Sequence, residues 1–239
     1  MFDHDRSDPA PSPAVRDLER IRDAAAWVFD LDNTLYAASV DLFAQIDQRM
    51  RAYIAAFLGL PVDEAYKLQK QYFYQYGTSL RGLMHRHGMS PEPFLAHVHD
   101  IDVSVLEADP VLDAALAALP GRKFIHTNAS TRHAERVVER LGIARHFDAV
   151  FDICEAAFRP KPEPEPYAEL VARHGLDPTA TVMVEDMARN LGPAAALGMT
   201  TVWISNGSEL GATDAAGVRI DHVVQALPPW LDGIVARVD

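Results

Sequence analysis

Three scarcities narrow the possibilities before any motif is read. Only one cysteine, Cys154, occurs in 239 residues, so no internal disulfide framework can form and a reducing compartment is expected. A lone thiol needs a neighbouring base or cation to become reactive, and Cys154 reads first as a small buried filler. No apolar run approaches the ~20 residues that a bilayer-spanning helix needs. The first thirteen residues are acidic and proline-rich, without the basic-then-apolar plan of a secretory signal. Residues 1–13 are therefore expected to form a mobile tail on a cytoplasmic protein. Positive charge is scarce too: 22 Lys and Arg against 34 Asp and Glu leave a net charge of −12. That field repels nucleic-acid polymers and anionic membranes, so neither is an expected partner. A small anionic substrate needs only locally placed cations.

What the chain does have is apolar sequence, 49% of its residues, enough for a substantial core. Short apolar runs at Ala25–Phe29, Lys123–His126, Ala149–Phe151, Thr181–Val184 and Thr200–Ile204 are too short for helices and end in polar residues, so they predict buried strands. Helical patterns alternate with them. Arg132–Leu141 follows Ser130 as a candidate N-cap, Glu165–His174 halts at Gly175, and Ala188–Leu197 halts at Gly198. Such alternation predicts a parallel sheet covered on both faces. The stretch from Tyr36 to Asp109 carries no strand signal. Helices are predicted at Asp41–Leu58 and Val62–Tyr76, then after Thr78, Ser90-Pro91 and Asp109-Pro110. The expected architecture is α/β: a parallel-sheet core (14–35 and 110–239) with an inserted all-helical cap (36–109) over the carboxyl edge of the sheet, where open α/β sheets bind ligands.

Four motifs fall where strands end. Asp30-Leu31-Asp32 places two carboxylates one residue apart, able to converge on one hard cation or one phosphate, or else simply an Asx-turn. His126-Thr127-Asn128 sits at a strand-to-helix junction, where hydroxyl and backbone N–H groups cradle phosphate or merely cap a helix. Lys161 lies between two prolines, in a solvated turn or in a rigid frame that points it inward. Glu185-Asp186 ends a buried run, where adjacent acids are costly unless paired or metal-bound; capping of the next helix is the plainer role for Asp186. Asn190 follows four residues later, within reach of the same helical face.

In this order the four motifs resemble those of the haloacid dehalogenase-like phosphatase superfamily, with its Rossmann-like core. The resemblance implies Asp30 as nucleophile and Asp32 as general acid/base. It implies Thr127 and Asn128 as phosphate contacts and Lys161 as the neutralising cation. Magnesium would be held by Asp30, the Asp32 carbonyl and Asp186, with Glu185 binding directly or through water. The physics asks for the same groups: a carboxylate approaching a phosphate dianion at ~4 Å meets roughly 8 kcal/mol of repulsion at an effective dielectric of ~20. An acid/base at Asp32 should also have a raised pKa.

The cap carries Tyr72-Phe73-Tyr74-Gln75-Tyr76-Gly77-Thr78, then Arg81-Gly82-Leu83 and Val98-His99. It resembles the caps of pyrimidine 5′-nucleotidases of the yeast and plant-like branch. The resemblance implies a pyrimidine nucleoside monophosphate as substrate, with Tyr76, Arg81 and His99 near it. Tyr72 and Tyr76 lie at helical spacing and equally suit the cap's own core. The rival readings are a phosphatase or mutase acting on a small sugar phosphate or phosphoglycolate, and a phospho-aspartate receiver without turnover. The paired histidines His85/His87 and His97/His99 stand two apart, which turns their rings to different helical faces and argues against zinc.

Overall fold

The computed structural model describes residues 21–236; the expected tail at 1–13 lies outside them. Six parallel strands form one sheet: β1 (Ala26–Phe29), β2 (Arg122–His126), β3 (Ala149–Phe151), β4 (Thr181–Glu185), β5 (Thr200–Ile204) and β6 (His222–Val224). Their order is β3-β2-β1-β4-β5-β6. The five expected strands are present to within a residue. The edge strand β6 has no sequence signal, because His222–Val224 is short and partly exposed and so shows no apolar run.

Successive residues of β1 enter opposite apolar clusters. Trp27 and Phe29 face one side with Leu112, Val137, Leu141 and Leu231; Ala26 and Val28 face the other with Tyr167, Leu170 and Leu191. That two-residue alternation within a fully buried strand is what a parallel sheet covered on both faces requires. The covering helices are α5 (Pro110–Ala118), α6 (Thr131–Leu141) and α9 (Leu227–Val235) on the first face. Helices α7 (Pro164–His174) and α8 (Leu191–Leu197) cover the second. The expected helix start at Ala188 is corrected: residues 188–190 form a single 3₁₀ turn, and the α-helix opens at Leu191. Cys154 is also corrected from buried filler to exposed thiol. Partial desolvation and then the Asp152 carboxylate push it up to about 11, away from the reactive thiolate.

Between β1 and β2 lie α1 (Leu42–Leu58), α2 (Val62–Tyr76), α3 (Ser79–His87) and α4 (Pro91–Val98). Thr78 caps α3 through its hydroxyl, which accepts from the Arg81 N–H at 3.2 Å. Their apolar residues Ile46, Tyr72, Leu83 and Phe94 belong to the same cluster as Trp27 and Phe29, so one core runs from the sheet into the inserted helices. Helices α2 and α3 meet where Tyr72 packs against Gly82. A Cβ on that glycine would come within 2.5 Å of the Tyr72 Cβ and Cγ. Tyr72 has little room to yield, since it is buried and its hydroxyl meets His87 Nε2 at 2.8 Å. Gly82→Ala should therefore cost about 1–3 kcal/mol, read as a lower denaturant midpoint at unchanged slope. Among the described residues no helix is long and apolar enough to cross a membrane.

Candidate active site

The strand order reverses at β1, which neighbours β2 on one side and β4 on the other. A crevice opens there beyond the carboxyl ends of the strands. Register fixes what lines it: Phe29 pairs with Val184, and the Asp30 N–H donates to the Val184 carbonyl at 2.9 Å, so Asp30 comes out level with Glu185 and Asp186. Past Asp30 the chain turns back, with Asn33 in the left-handed region at φ 63°, a conformation that asparagine tolerates. Thr34 Oγ1 then donates to Asp30 Oδ2 at 3.2 Å.

Lys161 closes the group from the other side. Its buried ammonium donates to Asp30 Oδ1 at 2.6 Å, Glu185 Oε2 at 2.7 Å and the His126 carbonyl at 2.8 Å, so all three of its N–H donors are used. Burial lowers its pKa less than Asp30 and Glu185 raise it, and it stays charged. For the acids the balance runs the other way. Burial, and next Glu185, push Asp30 up to about 7 against the pull of Lys161. Burial, then Glu185 and Asp30, raise Asp186 well above the usual carboxylate range. One ammonium does not offset three carboxylates gathered in low dielectric.

Asp32 departs from expectation. Burial works to raise it, yet the net shift is downward, because His133 and Tyr36 both donate to its Oδ1. His133 Nε2 lies at 2.9 Å and the Tyr36 hydroxyl at 2.7 Å. Neither was singled out from sequence. A signal existed for His133: it stands on the buried stripe of α6 with Ala134, Val137, Val138 and Leu141, the one ring nitrogen-bearing side chain among apolar neighbours.

A cavity of about 340 Å³ joins Asp30, Asp32, Thr127, Asn128, Lys161, Glu185, Asp186 and His99 to walls from the inserted helices. Asn128 has a more particular place than phosphate contact alone. Its Oδ1 accepts the Lys161 backbone N–H at 2.8 Å and its Nδ2 donates to the Lys161 carbonyl at 3.4 Å, clamping the lysine's main chain. Thr127 Oγ1 accepts the Ala129 N–H at 3.0 Å. Tyr76 and Arg81 do not line this cavity. Tyr76 packs against Tyr72 and His85, and Arg81 pairs with Glu163 at 2.9 Å. The cavity wall is built instead from Phe43, Met50, Phe73 and Tyr74, with Asp47 and Lys70 paired at 2.5 Å among them.

A family model for haloacid dehalogenase-like hydrolases matches residues 25–198, which hold all four motifs. The chain belongs to that family. Among its curated relatives, Phosphate metabolism protein 8 of Saccharomyces cerevisiae is 29% identical over 210 residues. The match takes in 80% of this chain and 62% of that protein, so the chain spans about three-fifths of the relative's length. Solved structures of similar fold include a haloacid dehalogenase-family phosphatase from Thermococcus onnurineus, with TM-score 0.60, 20% identity, and 87% of this chain and 96% of that one covered. L-2-haloacid dehalogenase from Xanthobacter autotrophicus has TM-score 0.57, 21% identity, and coverage of 90% and 100%.

Magnesium is the cofactor that membership of this haloacid dehalogenase-like family implies, and the residues present suit it. Among the described residues, the group of acids able to hold a metal is Asp30, Glu185 and Asp186, with carboxylate oxygens within 4.8 Å of one another. All are oxygen donors, the ligand type a hard cation takes. When ionised they exceed the charge of Lys161 by two. Nearby on the same cavity, the buried Asn190 Oδ1 has no hydrogen-bond partner among the described residues. Both Glu185 oxygens already accept hydrogen bonds, one from Lys161 and one from the Met187 N–H.

Proposed function

We propose that this hydrolase is a magnesium-dependent phosphomonoesterase working through a phospho-aspartyl intermediate, with a pyrimidine nucleoside 5′-monophosphate as substrate and residues 36–109 as its cap. The observation that carries the reading is the Asp30–Lys161 contact at 2.6 Å beside two further buried acids: a nucleophile, a fixed ammonium and a cation site meet in one place. Asp30, Asp186 and the Asp32 carbonyl would hold the magnesium, with Glu185 alongside. When bound, it offsets the charge shared by the carboxylates and the phosphoryl oxygens.

The chain's own residues then divide the work. An oxygen of Asp30 attacks phosphorus as the ester P–O bond breaks, and the leaving oxygen takes a proton from Asp32. Water, losing a proton to Asp32, next attacks the phosphorus of the acyl phosphate. The Asp30–phosphorus bond breaks, releasing inorganic phosphate and restoring Asp30 as a carboxylate and Asp32 as the protonated acid. Asp32 must be protonated for the first step although its resting pKa is lowered; a phosphate dianion beside it disfavours its charged form and reverses that balance. Thr127, on the cavity wall, would offer its hydroxyl to phosphate oxygens. A Lys161 whose donors are all engaged serves Asp30 first, reaching phosphate only by releasing an existing acceptor.

The aromatic wall supports the nucleotide substrate. Phe73 has the Arg189 guanidinium 4.5 Å from its ring centroid, and Tyr74 and Phe43 are exposed at 59% and 36%, leaving apolar surface for a base to stack on. The test is phosphate release from UMP, CMP, purine monophosphates, phosphoglycolate and glucose phosphates, with and without magnesium. Turnover is expected for the pyrimidine nucleotides, with magnesium only. Turnover limited to sugar phosphates would remove the nucleotide assignment and leave the chemistry; a stable phosphoprotein would indicate a receiver.

A further inference from the structure

We propose that His133 is a positioning residue for Asp32: together with Tyr36 it anchors one carboxylate oxygen, Oδ1, and so dedicates Oδ2 to proton transfer in the cavity. The inference rests on the reading of Asp32 as the acid/base. A carboxylate on a single-bonded side chain rotates, and a proton delivered from the wrong oxygen misses its target. Here both donors converge on the same atom, His133 Nε2 at 2.9 Å and the Tyr36 hydroxyl at 2.7 Å. Among the described residues Oδ2 accepts no hydrogen bond, and the side chain keeps 15% of its surface open, on the cavity.

The imidazole is itself held in place. His133 has no solvent exposure, and its ring stacks on His99 at 4.6 Å between centroids and 19° between planes. His99 Nδ1 meets Ser130 Oγ at 2.9 Å, while Arg136 donates to the carbonyls of His99 and Ile101 at 2.8 and 2.6 Å. A buried histidine kept only for packing would not need its Nε2 aimed at a carboxylate in the cavity. The arrangement also gives His99 a place behind His133 rather than only against the substrate.

Two variants at position 133 and one at position 36 test the idea, using p-nitrophenyl phosphate and UMP. Nitrophenolate leaves without a proton, so its departure reports attack by Asp30 alone, whereas decay of the acyl phosphate still needs Asp32 as base. His133→Ala should keep a rapid nitrophenolate burst and lose steady-state kcat by about tenfold or more, a fraction of the 10²–10⁴ that acid–base catalysis supplies, with KM falling in step so that kcat/KM for this substrate is nearly unchanged. On UMP both phases should slow. His133→Gln, which retains an N–H donor of similar reach, should recover most of the loss. Tyr36→Phe removes the other donor without altering volume and should shift kcat the same way by a smaller factor; it carries the test if His133→Ala fails to fold.

Loss of the burst along with steady-state turnover, with no recovery in His133→Gln, would mean a purely structural histidine and overturn the proposal. So would wild-type kcat in a folded His133→Ala, or in Tyr36→Phe where that variant stands alone. Asp32→Asn separates the two levels. If it is inactive while the His133 variants are normal, only the positioning role fails; if it turns over normally, the acid/base reading itself is wrong. The burst depends on p-nitrophenyl phosphate alone, and so stands apart from the nucleotide assignment.

Discussion

Asp30→Asn should leave a folded protein whose phosphate release falls by about four orders of magnitude or more, the scale on which loss of a covalent nucleophile is felt. The fold survives because the amide oxygen can still accept from Lys161, which also keeps Glu185 and the His126 carbonyl as partners. The amide cannot form the acyl phosphate, so an acid-stable label from phosphorylated substrate should appear on the wild-type protein and not on the variant. Residual turnover above about a tenth of wild type, in protein of verified mass, would remove Asp30 as nucleophile whatever the substrate proves to be.

Asp186→Asn should separate stability from activity. Three buried carboxylates within 4.8 Å of one another repel in the metal-free protein, and the raised pKa values of Asp30 and Asp186 record that cost. Removing one charge should stabilise the metal-free fold by about 1–2 kcal/mol, or roughly 2–8 °C in Tm for a chain of this size. Magnesium should raise the Tm of the wild type and have little effect on the variant, which should also lose turnover. The pH dependence has a definite sign. A carboxyl whose folded pKa lies above its unfolded value is best tolerated below the unfolded value, and its contribution is lost as pH rises through the folded one. The variant's advantage should therefore widen as pH rises above the ordinary carboxyl range, about 4, because Asp186 is held well above that range by burial and its acidic neighbours. A variant less stable than wild type throughout would show that the three acids do not repel as described.

The sheet and the motif residues were legible in sequence because each rests on a local pattern. Short apolar runs gave five of the six strands, and Asp30, Thr127, Asn128, Glu185 and Asp186 sit one or two residues beyond such a run, while Lys161 follows ten residues after β3. Long-range pairing is different. The contact of His133 with Asp32 spans 101 residues, and nothing local marks its partner, only a polar ring on an apolar stripe. Tyr76 and Arg81 show the reverse error. Their types suit a ligand, but helix rotation turns Tyr76 toward Tyr72 and His85, and Glu163 claims Arg81. Asn128 illustrates a third case, a residue that lines the cavity while its hydrogen bonds go to the main chain of Lys161.

The ladder between β1 and β4 acts as a ruler. Adjacent strands stand about 4.8 Å apart, and because Asp30 and Glu185 leave neighbouring strands at matched register, that spacing presets the separation of their carboxylates. The crowding of negative charge is thus set in part by main-chain geometry. A one-residue slip in the pairing would send the two acids to opposite sides of the sheet, so selection on chemistry here is also selection on how two strands align.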